Sequence, residues 1–177
     1  FISSTSDLRE HRAAAQDACL RAGVMPIMQE EFQSSAEGVA ATLARYIEQA
    51  DLFICIVGNR YGTIPDGQQV SFTEMEFNRA VERGKTVLIF TMHRDHPVTV
   101  ARVQTDAEGR DRLNRFKERA TKGRLWVEFK SPEDLRNRLV EALASLPDVS
   151  DSEAKPPSFR ADLSRIRIVE EVEALNE

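Results

Sequence analysis

The sequence predicts an α/β protein built on a parallel sheet, and three observations carry that expectation. Short apolar runs alternate with longer stretches of helical periodicity. One run, Leu52-Phe53-Ile54-Cys55-Ile56-Val57, is apolar without alternation, as a parallel strand covered on both faces must be. The chain of 177 residues, 41% hydrophobic and 30% charged, has the apolar mass for one folded core.

Taken in order, Phe1-Ile2-Ser3-Ser4 reads as the first strand. Residues 7–21 follow as a helix with Leu8, Ala15, Cys19 and Leu20 on or near one face, closed by Gly23. Residues 24–27 read as the second strand, interrupted by Pro26, and 28–35 as a loop. A helix over 36–50 spaces Val39, Leu43, Tyr46 and Ile47 for burial, and Asp51 leads into the central strand, which Gly58 stops. A third helix (71–84), a strand (86–90), a helix (108–121), a strand (125–129) and a helix (132–146) complete the pattern. Five parallel strands with helices on both faces suit a flavodoxin-like, doubly wound sheet over residues 1–146. Pro147, Pro156 and Pro157 among Ser and acidic residues mark 147–160 as a linker. Residues 161–177 carry the apolar spacing of an amphipathic helix, docked on the domain or leading to a following module.

Charge and composition narrow the partners. Twenty-four basic against 29 acidic residues give a net charge of -5, a field that repels a phosphate backbone, so nucleic acid is not expected. Cys19 and Cys55 lie in apolar stretches without C-x-x-C spacing, as buried thiols of a reducing compartment do. His93 and His96 lack an adjacent third ligand, so no metal site is expected. No run approaches the roughly 18 apolar residues of a membrane span, and no signal-peptide pattern is readable, so the expectation is a cytoplasmic protein without a membrane partner.

In an open parallel sheet, ligands bind beyond the carboxyl ends of the strands. Three segments converge there: Ser3-Ser4-Thr5-Ser6-Asp7, Gly58-Asn59-Arg60-Tyr61-Gly62 and Ser71-Phe72-Thr73-Glu74-Met75-Glu76. The first can hydrogen-bond a ribose or phosphate ahead of a helix N-terminus, with helix capping by Thr5 or Ser6 as the alternative. Gly58 and Gly62 permit tight turns, and Arg60 and Tyr61 between them can clamp or stack on a ligand, although Tyr61 equally suits packing. Ser71 and Glu74 are spaced as a capping box, which accounts for Glu74. Glu76 lies two residues deeper, beyond the reach of capping. A semi-buried carboxylate there is a candidate for chemistry, the plain alternative being a solvated helix glutamate. The basic stretch from Arg110 to Arg124 reads as a solvated face. His11 has no G-x-S-x-G elbow beside it, so a Ser-His-Asp mechanism is not expected.

Three ordered motifs, F-I-S-S-T-S-D-L-R-E-H-R, D-L-F-I-C-I-V-G-N-R-Y-G and S-F-T-E-M-E-F-N-R-A with a following G-K-T-V, resemble a TIR-like (Toll/interleukin-1 receptor-like) family. That family stands at the N-terminus of multidomain STAND or NACHT-type proteins, including bacterial defence systems, and the resemblance covers residues 1 to about 146. The family is distantly similar to TIR domains and to nucleoside 2-deoxyribosyltransferases, both flavodoxin-like. In those relatives the catalytic glutamate is followed four residues later by a small helix residue, then by Gly-Lys and a strand. Ala80 and Gly84-Lys85 place that role on Glu76, and Thr73 matches a threonine three residues before the deoxyribosyltransferase glutamate. Phe72 to Met75 stand where TIR domains commonly have a Trp-Cys pair.

The resemblance implies cleavage of the N-glycosidic bond of NAD or a related nucleotide when the parent protein oligomerises. Glu76 would be catalytic, with Ser3, Ser4, Thr5, Gly58, Ser71 and Thr73 lining the nucleotide side, Arg60 and Tyr61 the rim, and no cofactor required. The same resemblance implies an alternative, a non-catalytic module that self-associates, binds a partner or senses a nucleotide.

Overall fold

A strand that is apolar at every position puts alternate side chains on opposite faces, so it needs two cores. The computed structural model, which describes residues 1–28 and 39–146, has them. Its sheet has four parallel strands, β1 (Ile2–Ser4), β2 (Leu52–Val57), β3 (Thr86–Met92) and β4 (Trp126–Phe129), in that spatial order. Among the described residues five α-helices accompany them: α1 (Arg9–Arg21), α2 (Val39–Gln49), α3 (Phe72–Glu82), α4 (Ala107–Thr121) and α5 (Pro132–Ala144). On one face Ile2, Ile54, Ile56, Leu88 and Phe90 pack against Ala15, Ala18 and Cys19 of α1 and Leu135 and Leu139 of α5. On the other, Phe53, Cys55, Val57 and Ile89 pack against Leu43 and Ile47 of α2, Phe77 and Ala80 of α3, and Leu113 and Phe116 of α4. Each large apolar side chain so buried contributes roughly 1.5–3 kcal/mol.

Local chemistry sets the element boundaries. Ser71, Asp106 and Ser131 cap α3, α4 and α5 by accepting from the N–H groups of Glu74, Gly109 and Asp134, and Pro132 opens α5 where its missing N–H costs nothing. The register pairs Ile2 with Ile54, Ser3 with Cys55 and Ser4 with Ile56. It thereby fixes which face of the sheet each serine of β1 occupies.

Two expectations change. No strand forms over 24–27; Met28, the next residue, makes a single parallel bridge to Ile2, and Ile2 N–H donates to Ile27 O at 2.9 Å. Pro26 has no N–H to give a ladder, and its neighbour Met25 is 80% exposed. Leu20 is not on the core face of α1; it is exposed, whereas Leu8, Ala15 and Cys19 are buried. The expected loop after residue 28 and start of the second helix fall largely outside the described residues, as do the linker (147–160) and the terminal helix (161–177). Among the described residues no helix is long and apolar enough to cross a membrane.

Candidate functional site

Consecutive residues of a strand point to opposite faces, and the Ser3-Ser4 pair at the carboxyl end of β1 uses both. Ser3 faces α3, where its Oγ donates to Glu76 Oε2 at 2.5 Å. Ser4 faces α1, where its Oγ accepts from Arg12 Nη1 at 2.9 Å; the same nitrogen donates to Thr5 O at 2.7 Å. β1 therefore holds a carboxylate on one side and a guanidinium on the other.

Glu76 is only 6% exposed. Burial pushes its carboxyl up to about 7, with the Ser3 hydroxyl and the Arg12 charge opposing the rise. Its second oxygen, Oε1, is buried without a hydrogen-bond partner. Thr5 Oγ1 and Asp7 Oδ2, in the turn that follows β1, are likewise buried and unpartnered. An orphaned buried acceptor costs roughly 1–3 kcal/mol, so these atoms identify where a donor-bearing ligand is stabilising. Thr5, the residue preceding the 3-10 turn Ser6–Leu8, makes no side-chain capping bond, so capping by Thr5 is not what the structure shows.

The loop after β2 closes over the same turn. Gly62 has φ +91, and a Cβ there would lie 2.9 Å from Thr5 Cγ2, with Ser71 Cβ at 3.7 Å and Thr73 Oγ1 at 3.9 Å. Glycine alone lets the backbone rest against Thr5 in this conformation. Ser3, Glu76, Ser4, Thr5, Gly62, Ser71 and Thr73 are thus assembled at one edge of the sheet.

Other expected residues serve elsewhere. Gly58 leaves room for Leu8, whose side-chain carbons lie 3.1–3.4 Å from where its Cβ would stand. Arg60 is exposed and leans toward Ala101 O at 3.4 Å. Tyr61 is buried, and its hydroxyl donates to Glu74 Oε2, so it packs rather than forming a rim. Burial and the Glu74 carboxylate raise its phenol above the usual range. Glu74 does not complete a capping box: Ser71 Oγ accepts from Glu74 N–H at 3.3 Å, but the Glu74 carboxylate takes Tyr61 and, at 2.5 Å, Arg119 Nη2. Arg119 also lies over the Phe77 ring at 5.3 Å, so the basic stretch of α4 is not wholly a solvated face.

Sequence reasoning missed Arg12 and the partnership of two histidines. Arg12 follows Thr5 by seven residues in the opening motif, and that spacing returns a long side chain to the β1 turn, a readable but unspecific signal. His11 Nε2 lies 2.9 Å from His96 Nε2, both rings buried and packed on Phe129. His96 Nδ1 is 2.8 Å from Pro97 O, an acceptor, so Nδ1 donates and His96 Nε2 accepts from His11. Burial, then His96, pushes His11 down to about 4. Among the described residues no group of three or more His, Cys, Asp or Glu is placed to hold a metal ion.

Compared with curated proteins, the sequence matches none. A family model does match, and it spans β1 through the last turn of α5, taking in every residue of the site just described. Because residues 1–144 fit the family described as "Domain of unknown function (DUF4062)", the chain belongs to that family.

Proposed function

We propose that this is a TIR-like effector domain that cleaves the N-glycosidic bond of NAD or a related nucleotide, with Glu76 as the catalytic carboxylate. The observation that carries the reading is Glu76 itself: buried, fixed through one oxygen by Ser3, its other oxygen unpartnered, at the carboxyl edge of a parallel sheet. A carboxylate held in this way stabilises the positive charge that develops on the sugar as the bond between its anomeric carbon and the base nitrogen breaks. The bonding pair leaves with the nitrogen, so a pyridinium base departs neutral. Water then adds its oxygen to the anomeric carbon and releases one proton. Thr5 and Asp7 offer further acceptors for sugar hydroxyls, and Arg12 fixes the Ser4–Thr5 turn that carries them.

The flavodoxin-like arrangement belongs to this reading; the bridge of Met28 to Ile2 is what supports a fifth strand position beside β1. The placement within a STAND-type multidomain protein and the dependence on oligomerisation rest on the motif resemblance.

The test is loss of NAD, NADP and a nucleoside panel, followed by chromatography at low and high protein concentration, with Glu76→Gln beside the unaltered chain. Turnover that rises with concentration and vanishes in the variant supports the reading; equal turnover in the variant overturns it. A second reading, self-association without chemistry, is favoured by one observation. The edge strand β4 and the residue before it expose Leu125 and Trp126, at 74% and 49%. Complete absence of turnover, with assembly lost in Trp126→Lys, would favour it.

A further inference from the structure

β4 closes one side of the sheet, and half of its main chain is unpaired. Ile89 N–H donates to Leu125 O at 3.3 Å and His93 N–H to Phe129 O at 2.9 Å, so every second residue from Leu125 turns its peptide groups toward β3. Trp126 and Glu128, which alternate with them, turn theirs outward, and these groups have no hydrogen-bond partner among the described residues. Side chains do not shield them: Leu125, just before the strand, and Trp126 are both exposed. An open edge with apolar side chains is a template for one more strand.

The edge runs into a hollow of about 260 Å³ at the amino ends of β3 and β4, the end of the sheet opposite to Glu76. Val81, Val87, Leu88 and Leu125 give it apolar walls, in which Lys85 and Arg124 stand. Lys85 Nζ donates to the main-chain Glu48 O at 2.6 Å. Arg124 Nη1 donates to Arg119 O and Lys122 O, each at 3.3 Å, and its guanidinium lies over the Phe77 ring. Neither cation is ion-paired with a carboxylate among the described residues. Lys122 and Lys130 are exposed on either side of β4, in which Glu128 is the single carboxylate.

These features choose the occupant. Free peptide groups call for an extended polypeptide, which a lipid surface does not supply, and cations without carboxylates call for acidic side chains. A second copy of this chain brings the same cations to the seam, so charge disfavours it. The hollow exceeds the roughly 150 Å³ that holds one benzene ring, so it admits one apolar side chain, a phenyl group included. We propose that β4 is the docking edge for an extended acidic segment of a partner protein. The segment adds beside β4 as a further strand through the peptide groups of Trp126 and Glu128, seats one apolar side chain in the hollow, and sets carboxylates against Lys85 and Arg124. The inference is independent of the glycosidic reading, since it concerns the other end of the sheet.

The test uses the full chain and needs no turnover. The probes are a capped heptapeptide, Glu-Asp-Phe-Thr-Val-Thr-Val, and its reverse, which between them allow parallel and antiparallel addition. Trp126 is the only tryptophan, so its fluorescence reports binding at this edge directly. One of the two peptides is expected to bind about tenfold or more tightly than a version with two lysines for the acidic pair, less tightly as salt rises, and not at all when N-methylated along its backbone. On binding, the Trp126 and Glu128 amides should gain hydrogen-exchange protection. Lys85→Gln with Arg124→Gln should remove the preference for the acidic peptide; if loss of the Phe77 contact unfolds that variant, a reduced preference in Lys85→Gln alone decides. Failure of both peptides to bind, equal binding of the lysine or N-methylated version, or an unchanged preference in Lys85→Gln overturns the proposal. So does a Trp126 response to phosphatidylserine vesicles but to neither peptide, which would make the edge a lipid surface, or a dimer in sedimentation that neither peptide dissociates, which would give the edge to a second copy.

Discussion

Glu74 and Glu76 stand two residues apart on one helix, both nearly out of solvent, and they differ in almost everything that matters chemically. Glu74 has a partner on each oxygen, Tyr61 on one and Arg119 on the other, and no atom left over. Glu76 has Ser3 on one oxygen, nothing on the other, and a carboxyl displaced to about 7. Burial alone therefore does not mark a functional carboxylate. Satisfaction does: a fully partnered group is a structural clasp, whereas a half-partnered one stores an interaction that a ligand can complete.

The comparison breaks first at activity. Glu76→Gln is expected to lower turnover by a factor of about 10² or more, the usual effect of removing one transition-state stabilising group, with the fold retained by circular dichroism. Because the proposed reaction needs the ionised carboxylate, kcat/KM of the unaltered protein should rise with pH through about 7. A flat profile would contradict the role given to Glu76.

Stability sharpens the contrast further, through two groups acting in opposite senses. Glu76 binds its proton more tightly in the fold (about 7) than unfolded (4.5), so its contribution is present below 4.5 and lost as pH rises through 7, a cost of roughly 3 kcal/mol. His11 is neutral in the fold down to about 4 against 6.5 unfolded, so its contribution is full above 6.5 and lost as pH falls toward 4, at most about 3 kcal/mol. The two slopes oppose each other over most of the same window. Denaturant titrations should show little net pH dependence there in the unaltered chain, a rising stability in Glu76→Gln and a falling one in His11→Gln. The same slope in all three proteins would refute both assignments.

Much of this was legible in advance and some was not, for identifiable reasons. The unalternating run at 52–57 and the cap signals Ser71 and Pro132 are local, and each placed its element to within a residue or two. Glu76 was singled out because capping could not explain it, an argument from position that needs no tertiary knowledge. For Tyr61 the sequence left rim and packing open, because a loop's direction depends on what its neighbours bury, and the structure has Glu74 drawing Tyr61 inward from across the loop. His11 and His96 are 85 residues apart, a separation no local pattern spans. The 24–27 segment had the composition of a strand but not the donors, and Pro26 decided against it.

Smaller effects test the clasp and the turn. Glu74→Gln is expected to cost about 1–2 kcal/mol, because Arg119 is half-exposed and its pairing is screened, and to leave activity within a few-fold; urea unfolding beside turnover measures both. Gly62→Ala should cost about 1 kcal/mol from its positive φ and press on Thr5, so a modest fall in thermal midpoint together with weaker nucleotide binding is the outcome to look for.

The Ser3-Ser4 pair bears on how the molecule assembles. β1 is three residues long, too short for its ladder alone to choose an alignment. Two identical side chains cannot choose either, since a one-step shift presents a hydroxyl to each face as before. The choice falls to Phe1 and Ile2, which belong to opposite cores. Both helical layers must therefore be in place before this strand locks. In a hydrogen-exchange experiment, the amides that join β1 to β2 should gain protection after those that join β2 to β3, so the edge that carries the candidate site sets after the centre of the sheet.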